Sequence, residues 1–178
     1  MSGWKPGDTC PDADSMLRVD QAGEYGATRI YAGQLAVIGQ DRPAGRVIAR
    51  MASQERRHLA RFDALMAERG VRPTALQPLW KAAGFALGAA TALMSERAAM
   101  ACTDAIETEI DRHYSKQLAD LGDSDPELAA DISDFRAEEL EHRNTAREHG
   151  AAETPGYPLL TAAIRAGCRM AIGLSKRI

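Results

Sequence analysis

Residues 53–62 read SQERRHLARF, and residues 137–146 read AEELEHRNTA. Each stretch holds a glutamate followed three residues later by a histidine: Glu55 with His58, and Glu139 with His142. On an α-helix, positions i and i+3 share a face, so each pair presents a carboxylate and an imidazole to one point. A further glutamate precedes each pair, Glu24 by 55 − 24 = 31 residues and Glu107 by 139 − 107 = 32. The two trios repeat at offsets of 107 − 24 = 83, 139 − 55 = 84 and 142 − 58 = 84. Two helices giving one glutamate each, and two giving Glu-x-x-His, is how a bundle core holds a pair of iron or manganese ions.

The neighbours of these residues place them inside. Glu24 shares a helical stripe with Leu17, Ala27, Tyr31, Leu35 and Ile38, and Glu55 and His58 lie with Ile48, Met51, Phe62 and Leu65. Glu107 falls with Met100, Thr103, Tyr114, Leu118 and Leu121, while Glu139 and His142 follow Leu128, Ile132 and Phe135. Four carboxylates facing one apolar core repel one another and require a cation. Two divalent ions balance four carboxylates and two neutral histidines. Carboxylate and imidazole without thiolate suit iron(II), whereas zinc has no redox chemistry and calcium does not choose histidine. Glu55 and Glu139, each with a histidine at i+3, are placed to bridge, with Glu24 and Glu107 terminal. The rival reading of the same residues is a set of structural ion pairs in a core without metal.

At 178 residues the chain fits one domain. Apolar residues make up 45% and aromatics 5%, a composition that favours helices over sheets. A net charge of −3 without a basic stripe excludes nonspecific nucleic-acid binding. Cys10, Cys102 and Cys168 form no C-x-x-C, which excludes a rubredoxin-like or zinc-ribbon site and fits a reducing compartment. Residues 1–14 are polar and turn-rich, lack the apolar segment of a secretory signal, and are expected to form a flexible arm.

The spacing of breakers predicts a first helix from a cap at Asp14 or Ser15 to about Gly39, and a second from Pro43 to Arg69, closed by Gly70. A linker, VRPTALQP, leads into an apolar stretch over 79–94, followed by a helix to Leu121. Asp125 caps a fourth bundle helix running to about His149, and a last helix spans about 158–176. Two helical hairpins joined by a long crossover make an all-α, ferritin-like four-helix bundle spanning 15–178.

Two helices are additional to the bundle. Residues 82–94, AAGFALGAATALM, hold no charge, yet fall short of the ~18–20 residues needed to cross a bilayer. Residues 155–178, which include the last helix, carry Arg165, Arg169, Lys176 and Arg177, no acidic residue, and an apolar face. Together, 79–94 and 158–176 read as amphipathic helices lying in a membrane interface; a buried core helix and a partner or homo-oligomer surface are the rival readings. His113 and Tyr114 follow Glu107 by six and seven residues, and Tyr114 returns to its face. They read either as a proton or electron relay or as a partly exposed histidine beside a core tyrosine. No G-x-G-x-x-G occurs, so electrons come from outside or from a nicotinamide held by other means.

Five blocks, DQAGEYGATRIYAGQ, QERRHLARFDALM, RPTALQPLWKAAGFALGAATALMSERAAMACT, AIETEIDRHYSKQL and FRAEELEHRNTA, resemble the 5-demethoxyubiquinone hydroxylases of ubiquinone biosynthesis. The resemblance runs from about Leu17 to the C-terminal AGCRMAIGLSKRI. It implies a di-iron monooxygenase that uses O2 and an external reductant, NADH, to hydroxylate the benzoquinone ring of a polyprenylated demethoxyubiquinone or demethoxyubiquinol. It places that family's six ligands on Glu24, Glu55, His58, Glu107, Glu139 and His142, and its relay pair on His113 and Tyr114. One departure is Gln21, where members of that family often carry His. The resemblance also implies a lipid-binding accessory protein as partner, and a peripheral membrane location: the cytoplasmic face of the inner membrane in a bacterium, the matrix face in a mitochondrion. Phe85, Leu87, Leu93 and Met94 are the candidates for an entrance and tail channel. A ferritin-like ferroxidase or peroxidase, and a non-catalytic membrane-surface scaffold, are the competing functions.

Overall fold

The computed structural model describes residues 12–176, which form six α-helices and one 3₁₀ turn. The helices are α1 (Ala13–Ile38), α2 (Pro43–Arg69), α3 (Gln77–Met94), α4 (Glu96–Leu121), α5 (Pro126–Glu148) and α6 (Tyr157–Ser175). The expected arm, residues 1–14, lies mostly outside the described residues, and so does Cys10. Its last residues belong to the bundle: Asp12, not Asp14 or Ser15, caps α1 by accepting a hydrogen bond from the Ser15 amide at 3.0 Å. Proline opens α2 and α5 at the first turn, where its missing N–H removes nothing from the helix. Gly70 closes α2 in the left-handed region, at φ 68° and ψ 22°.

The expected change of character after Met94 is a helix boundary. The chain from 79 to 121 is two helices, separated at Ser95, which adopts φ −178° and ψ 165° and whose side chain accepts from the Ala98 amide at 3.0 Å. Ser95 ends an apolar helix and caps a mixed one, so the change in polarity coincides with a change in direction.

The hairpins α1/α2 and α4/α5 assemble into a four-helix bundle. Polar ties knit α2 to α5: Arg61 to Asp131 at 2.8 Å, Gln54 to Glu138 at 3.2 Å, and Arg69 to Asp125. Two apolar clusters fill the bundle. One gathers Tyr31, Ile48, Met51 and Met100; the other gathers Leu17, Phe62, Leu65, Tyr114, Leu128 and Ile132.

The crossover helix α3 is pressed against α1 almost backbone to backbone. A Cβ at Gly88 would fall 2.0 Å from the Ile30 carbonyl oxygen, and one at Gly33 would fall 2.2 Å from that of Phe85. Only glycine permits that approach. The start of α3 meets the end of α6, where the Trp80 indole donates to Ser175 Oγ at 3.1 Å. A third apolar cluster, with Ile30, Cys102, Ala105, Ile106 and Ile164, packs against Leu87 from α3 and Leu160 and Cys168 from α6.

Both added helices leave large apolar side chains in water: Leu79, Phe85, Leu93 and Met94 on α3, and Leu159, Met170 and Leu174 on α6. Leu93 and Leu159 are 74% and 79% exposed. Among the described residues no helix is long and apolar enough to cross a membrane. The basic character read from the α6 sequence is reduced in three dimensions. Buried Glu109 of α4 accepts from both Arg165 Nε and Arg169 Nη1 at 2.7 Å. Sequence periodicity within α6 could not reveal an acid supplied by another helix, and Arg177 lies outside the described residues.

Candidate metal centre

All six residues read as ligands are buried and converge between the four bundle helices. They form two overlapping groups. In each group the ligating atoms lie within 4.8 Å of one another: Glu24, Glu55, His58 and Glu139 in one, Glu55, Glu107, Glu139 and His142 in the other. Glu55 and Glu139 belong to both. Glu139 sends Oε1 to within 3.1 Å of His58 Nδ1 and Oε2 to within 3.0 Å of His142 Nδ1. Glu55 Oε1 lies 3.1 Å from His142 Nδ1, and Glu24 Oε2 lies 3.5 Å from His58 Nδ1.

Each side chain is held from behind. Phe135 stacks on the His58 ring at a centroid distance of 4.1 Å. The outer nitrogen of His58 faces Glu138 Oε2 at 3.1 Å, and that of His142 faces Gln54 Oε1 at 3.1 Å. Gln54 in turn donates its amide to Glu138 Oε2 at 3.2 Å, which fixes the orientation of the amide. Since a carboxylate and an amide oxygen can only accept, both histidines carry a proton on Nε2. In the neutral tautomer, a bare Nδ1 lone pair then points inward, as a metal ligand requires.

Two tyrosines complete the site. Tyr31 of α1 donates to Glu107 Oε1 on α4 at 3.0 Å, and Tyr114 of α4 donates to Glu24 Oε1 on α1. Each tyrosine stands seven residues after the glutamate of its own helix, 31 − 24 and 114 − 107, and serves the glutamate of the other. Burial, reinforced by the charge of the glutamates, holds both phenols well above their ordinary range, so they stay protonated donors.

The electrostatics call for a cation. Glu24 Oε2, Glu55 Oε1 and Oε2, Glu107 Oε2, Glu139 Oε1 and His58 Nδ1 are buried and make no well-aligned hydrogen bond, although His58 and His142 Nδ1 approach carboxylate oxygens of this set at 3.1–3.5 Å. Burial, and then the Glu139 charge, push Glu55 and Glu107 well above the usual carboxylate range. Burial acts against charge on Glu139 too, but hydrogen bonds from His142 and His58 draw it down to about 2. Burial would lower both histidines; hydrogen bonds to Glu139 and to Glu24 or Glu55 outweigh it and lift them to about 10. Without metal, protons occupy the place of cations. The donor set, with its inward orphan oxygens, fits two divalent ions bound by carboxylate and imidazole.

His113 and Tyr114 part company. Tyr114 reaches the cluster; His113 turns outward and faces Asp20 Oδ1 through Nε2 at 3.2 Å. Asp20 is buried, one turn before Glu24. Gln21 does not touch the cluster: it donates to Asp63 Oδ1 at 2.9 Å and accepts from Gln77 at 3.1 Å, tying α1 to α2 and α3. Of the candidate channel residues, Leu87 packs against the third apolar cluster, which contains Ile106, the sequence neighbour of Glu107, whereas Phe85, Leu93 and Met94 are exposed. Three residues escaped the reading of the sequence: Tyr31, Gln54 and Glu138. The repeat contained them, for 114 − 31 = 83 and 138 − 54 = 84 are the offsets of the ligands themselves.

Comparison with known proteins agrees with this geometry. The family model of the ubiquinone biosynthesis protein COQ7 matches residues 11–175. The 3-demethoxyubiquinol 3-hydroxylase of Rhodospirillum rubrum is 55% identical over 97% of this chain and 82% of its own length. The mitochondrial NADPH-dependent 3-demethoxyubiquinone 3-hydroxylase of Mus musculus is 52% identical over 92% of this chain and 77% of its own. The mitochondrial 5-demethoxyubiquinone hydroxylase of Saccharomyces cerevisiae is 43% identical over 93% of this chain and 78% of its own. The mouse protein's name specifies NADPH, where the sequence reading expected NADH. The chain belongs to the COQ7 family of ubiquinone biosynthesis proteins.

Proposed function

We propose that this chain is a di-iron monooxygenase that hydroxylates the ring of a demethoxyubiquinone or demethoxyubiquinol. The observation that carries the reading is the pair of overlapping ligand groups sharing Glu55 and Glu139. Glu24 and His58 would complete one iron position, Glu107 and His142 the other, with Glu55 and Glu139 between them. Two irons bound there would supply together the electrons needed to activate dioxygen.

The protein's own groups do the rest. Tyr31 and Tyr114 hold one oxygen each of Glu107 and Glu24, leaving the second oxygen of each carboxylate free to face the centre. The apolar clusters above and below keep bulk water from the cluster. His113, partly exposed, faces buried Asp20 at 3.2 Å, and this pair would pass protons toward Glu24 and Tyr114.

The quinone ring would approach from the side covered by α3 and α6, where Leu87, Ile106 and Ile164 meet, with its polyprenyl tail running out between the exposed side chains of these helices. Those side chains would rest in a membrane surface, with insertion of apolar groups outweighing attraction by basic ones, since Glu109 engages two of the arginines. A reduced nicotinamide nucleotide, NADH or NADPH, would be the electron source. The location would be peripheral, on the inner membrane, facing the cytoplasm or the matrix according to the cell.

The test is reconstitution. Protein loaded with Fe(II) and given a demethoxyquinone, a reduced nicotinamide and ¹⁸O₂ should yield a product heavier by one ¹⁸O hydroxyl. A product without label, or no product, would defeat the proposal.

A further inference from the structure

The ligand cluster is nearly symmetric, and one pair of residues breaks the symmetry. Offsets of 83 or 84 relate Glu24 to Glu107, Tyr31 to Tyr114, Glu55 to Glu139 and His58 to His142, like to like in every case. The same offset relates Gln54 to Glu138, an amide to a carboxylate. These two occupy matching places: each precedes a shared glutamate, and each takes the outer nitrogen of the histidine on the opposite helix at 3.1 Å.

An imidazole whose N–H is given to a carboxylate is a stronger donor through its other nitrogen than one bonded to a neutral amide, because the hydrogen bond is charge-assisted. Glu138 is also fixed in place, receiving the Gln54 amide and the Arg57 guanidinium as well as His58. Gln54 cannot rotate to mimic it, since its NH₂ must face Glu138 and its oxygen His142.

We infer that Glu138 and Gln54 are positioning residues that make the two metal positions unequal. The ion held by His58 is bound more tightly than the ion held by His142. The inference rests on the di-iron reading and adds to it the order of filling, and with it the identity of the ion that is released first.

The test is an anaerobic titration of the purified protein with ⁵⁷Fe(II) against a chelator, combined with Mössbauer spectra of the fully loaded form. Wild-type protein should show two stepwise dissociation constants separated by at least about tenfold and two distinct quadrupole doublets. Glu138→Gln should weaken the tighter step by about tenfold or more, leave the weaker step in place, and move one doublet only. Gln54→Glu should tighten the weaker step instead. The double variant Gln54→Glu/Glu138→Gln keeps one carboxylate and one amide, so it should restore two separated constants; this guards against a trivial folding defect in either single variant. Two wild-type constants that differ only statistically, or a Glu138→Gln variant in which both constants move alike, would overturn this inference alone. Failure of the wild-type chain to take up iron would overturn it together with the reading it rests on.

Discussion

Replacing Tyr31 with phenylalanine removes one hydroxyl from the centre of the molecule and nothing else. The ring stays, 2% exposed, against Met51 and Met100. What is lost is a 3.0 Å hydrogen bond to Glu107 Oε1, on a carboxylate whose other oxygen is already without a protein partner. A buried hydrogen bond to an ionisable partner, broken from one side, costs about 2 kcal/mol. For a domain of this size that lowers the melting temperature by about 4–8 °C. Because Tyr31 also orients Glu107, the variant should release iron from the adjoining position about 10–100-fold more readily. Thermal unfolding followed by circular dichroism, with chelator competition on the same samples, reads both effects. Tyr114→Phe, its mirror across the repeat, should behave alike. A Tyr31→Phe protein that melts within about 1 °C of wild type and holds iron equally well would refute the reciprocal arrangement of tyrosines and glutamates.

Other outcomes follow from the same structure. In the metal-free protein, His58 and His142 are raised from 6.5 to about 10, so their protons stabilise the fold fully below about pH 6.5 and this contribution disappears as pH rises through 10. Glu55 and Glu107, raised above 4.5, act in the same direction, whereas Glu139, drawn down to about 2, matters only in acid. The melting temperature of metal-free protein should therefore fall between pH 6.5 and 9, and Fe(II) should stabilise more as pH rises because it displaces those protons; a flat metal-free profile would contradict the assignment. Gly88→Val places a Cβ 2.0 Å from the Ile30 carbonyl oxygen, so α3 must leave α1. The cost should be about 3 kcal/mol or more, with new proteolytic cleavage over residues 77–94; resistance equal to wild type would show that the two helices are less closely packed. Leu93→Glu/Leu159→Glu changes two exposed side chains and should leave the melting temperature unmoved while weakening flotation with liposomes; undiminished flotation would remove α3 and α6 as the membrane-facing surface.

The convergence of the six candidate ligands could be anticipated from the sequence because a helix repeats its face every three to four residues, and glutamates and histidines on otherwise apolar stripes are conspicuous. The helix ends at Pro43, Gly70 and Asp125 were legible for the same local reason: each is fixed by chemistry within a few residues. What acts between helices was harder. Tyr31, Gln54 and Glu138 matter through partners 76, 88 and 80 residues away, and which side chains meet depends on helix rotation and register, which no single periodicity specifies. Glu109 illustrates the same limit from the other direction, quenching arginines that look unpaired along α6. The bed for α3 on α1 was hidden because that helix is apolar around most of its circumference. Its glycines, Gly84 and Gly88, mark the docking face only once Gly33 and Ile30 are known to lie opposite. The break after Met94 was legible where an uncharged run gives way to Glu96 and Arg97, while the capping role of Ser95 emerged only from the structure.

The decisive measurement is anomalous diffraction at the iron edge from crystals of Fe(II)-loaded protein. Two peaks should appear among the six side chains, one beside Glu24 and His58, the other beside Glu107 and His142, with Glu55 and Glu139 reaching both. A single peak, or peaks lying outside these residues, would contradict a two-iron centre built on the shared glutamates.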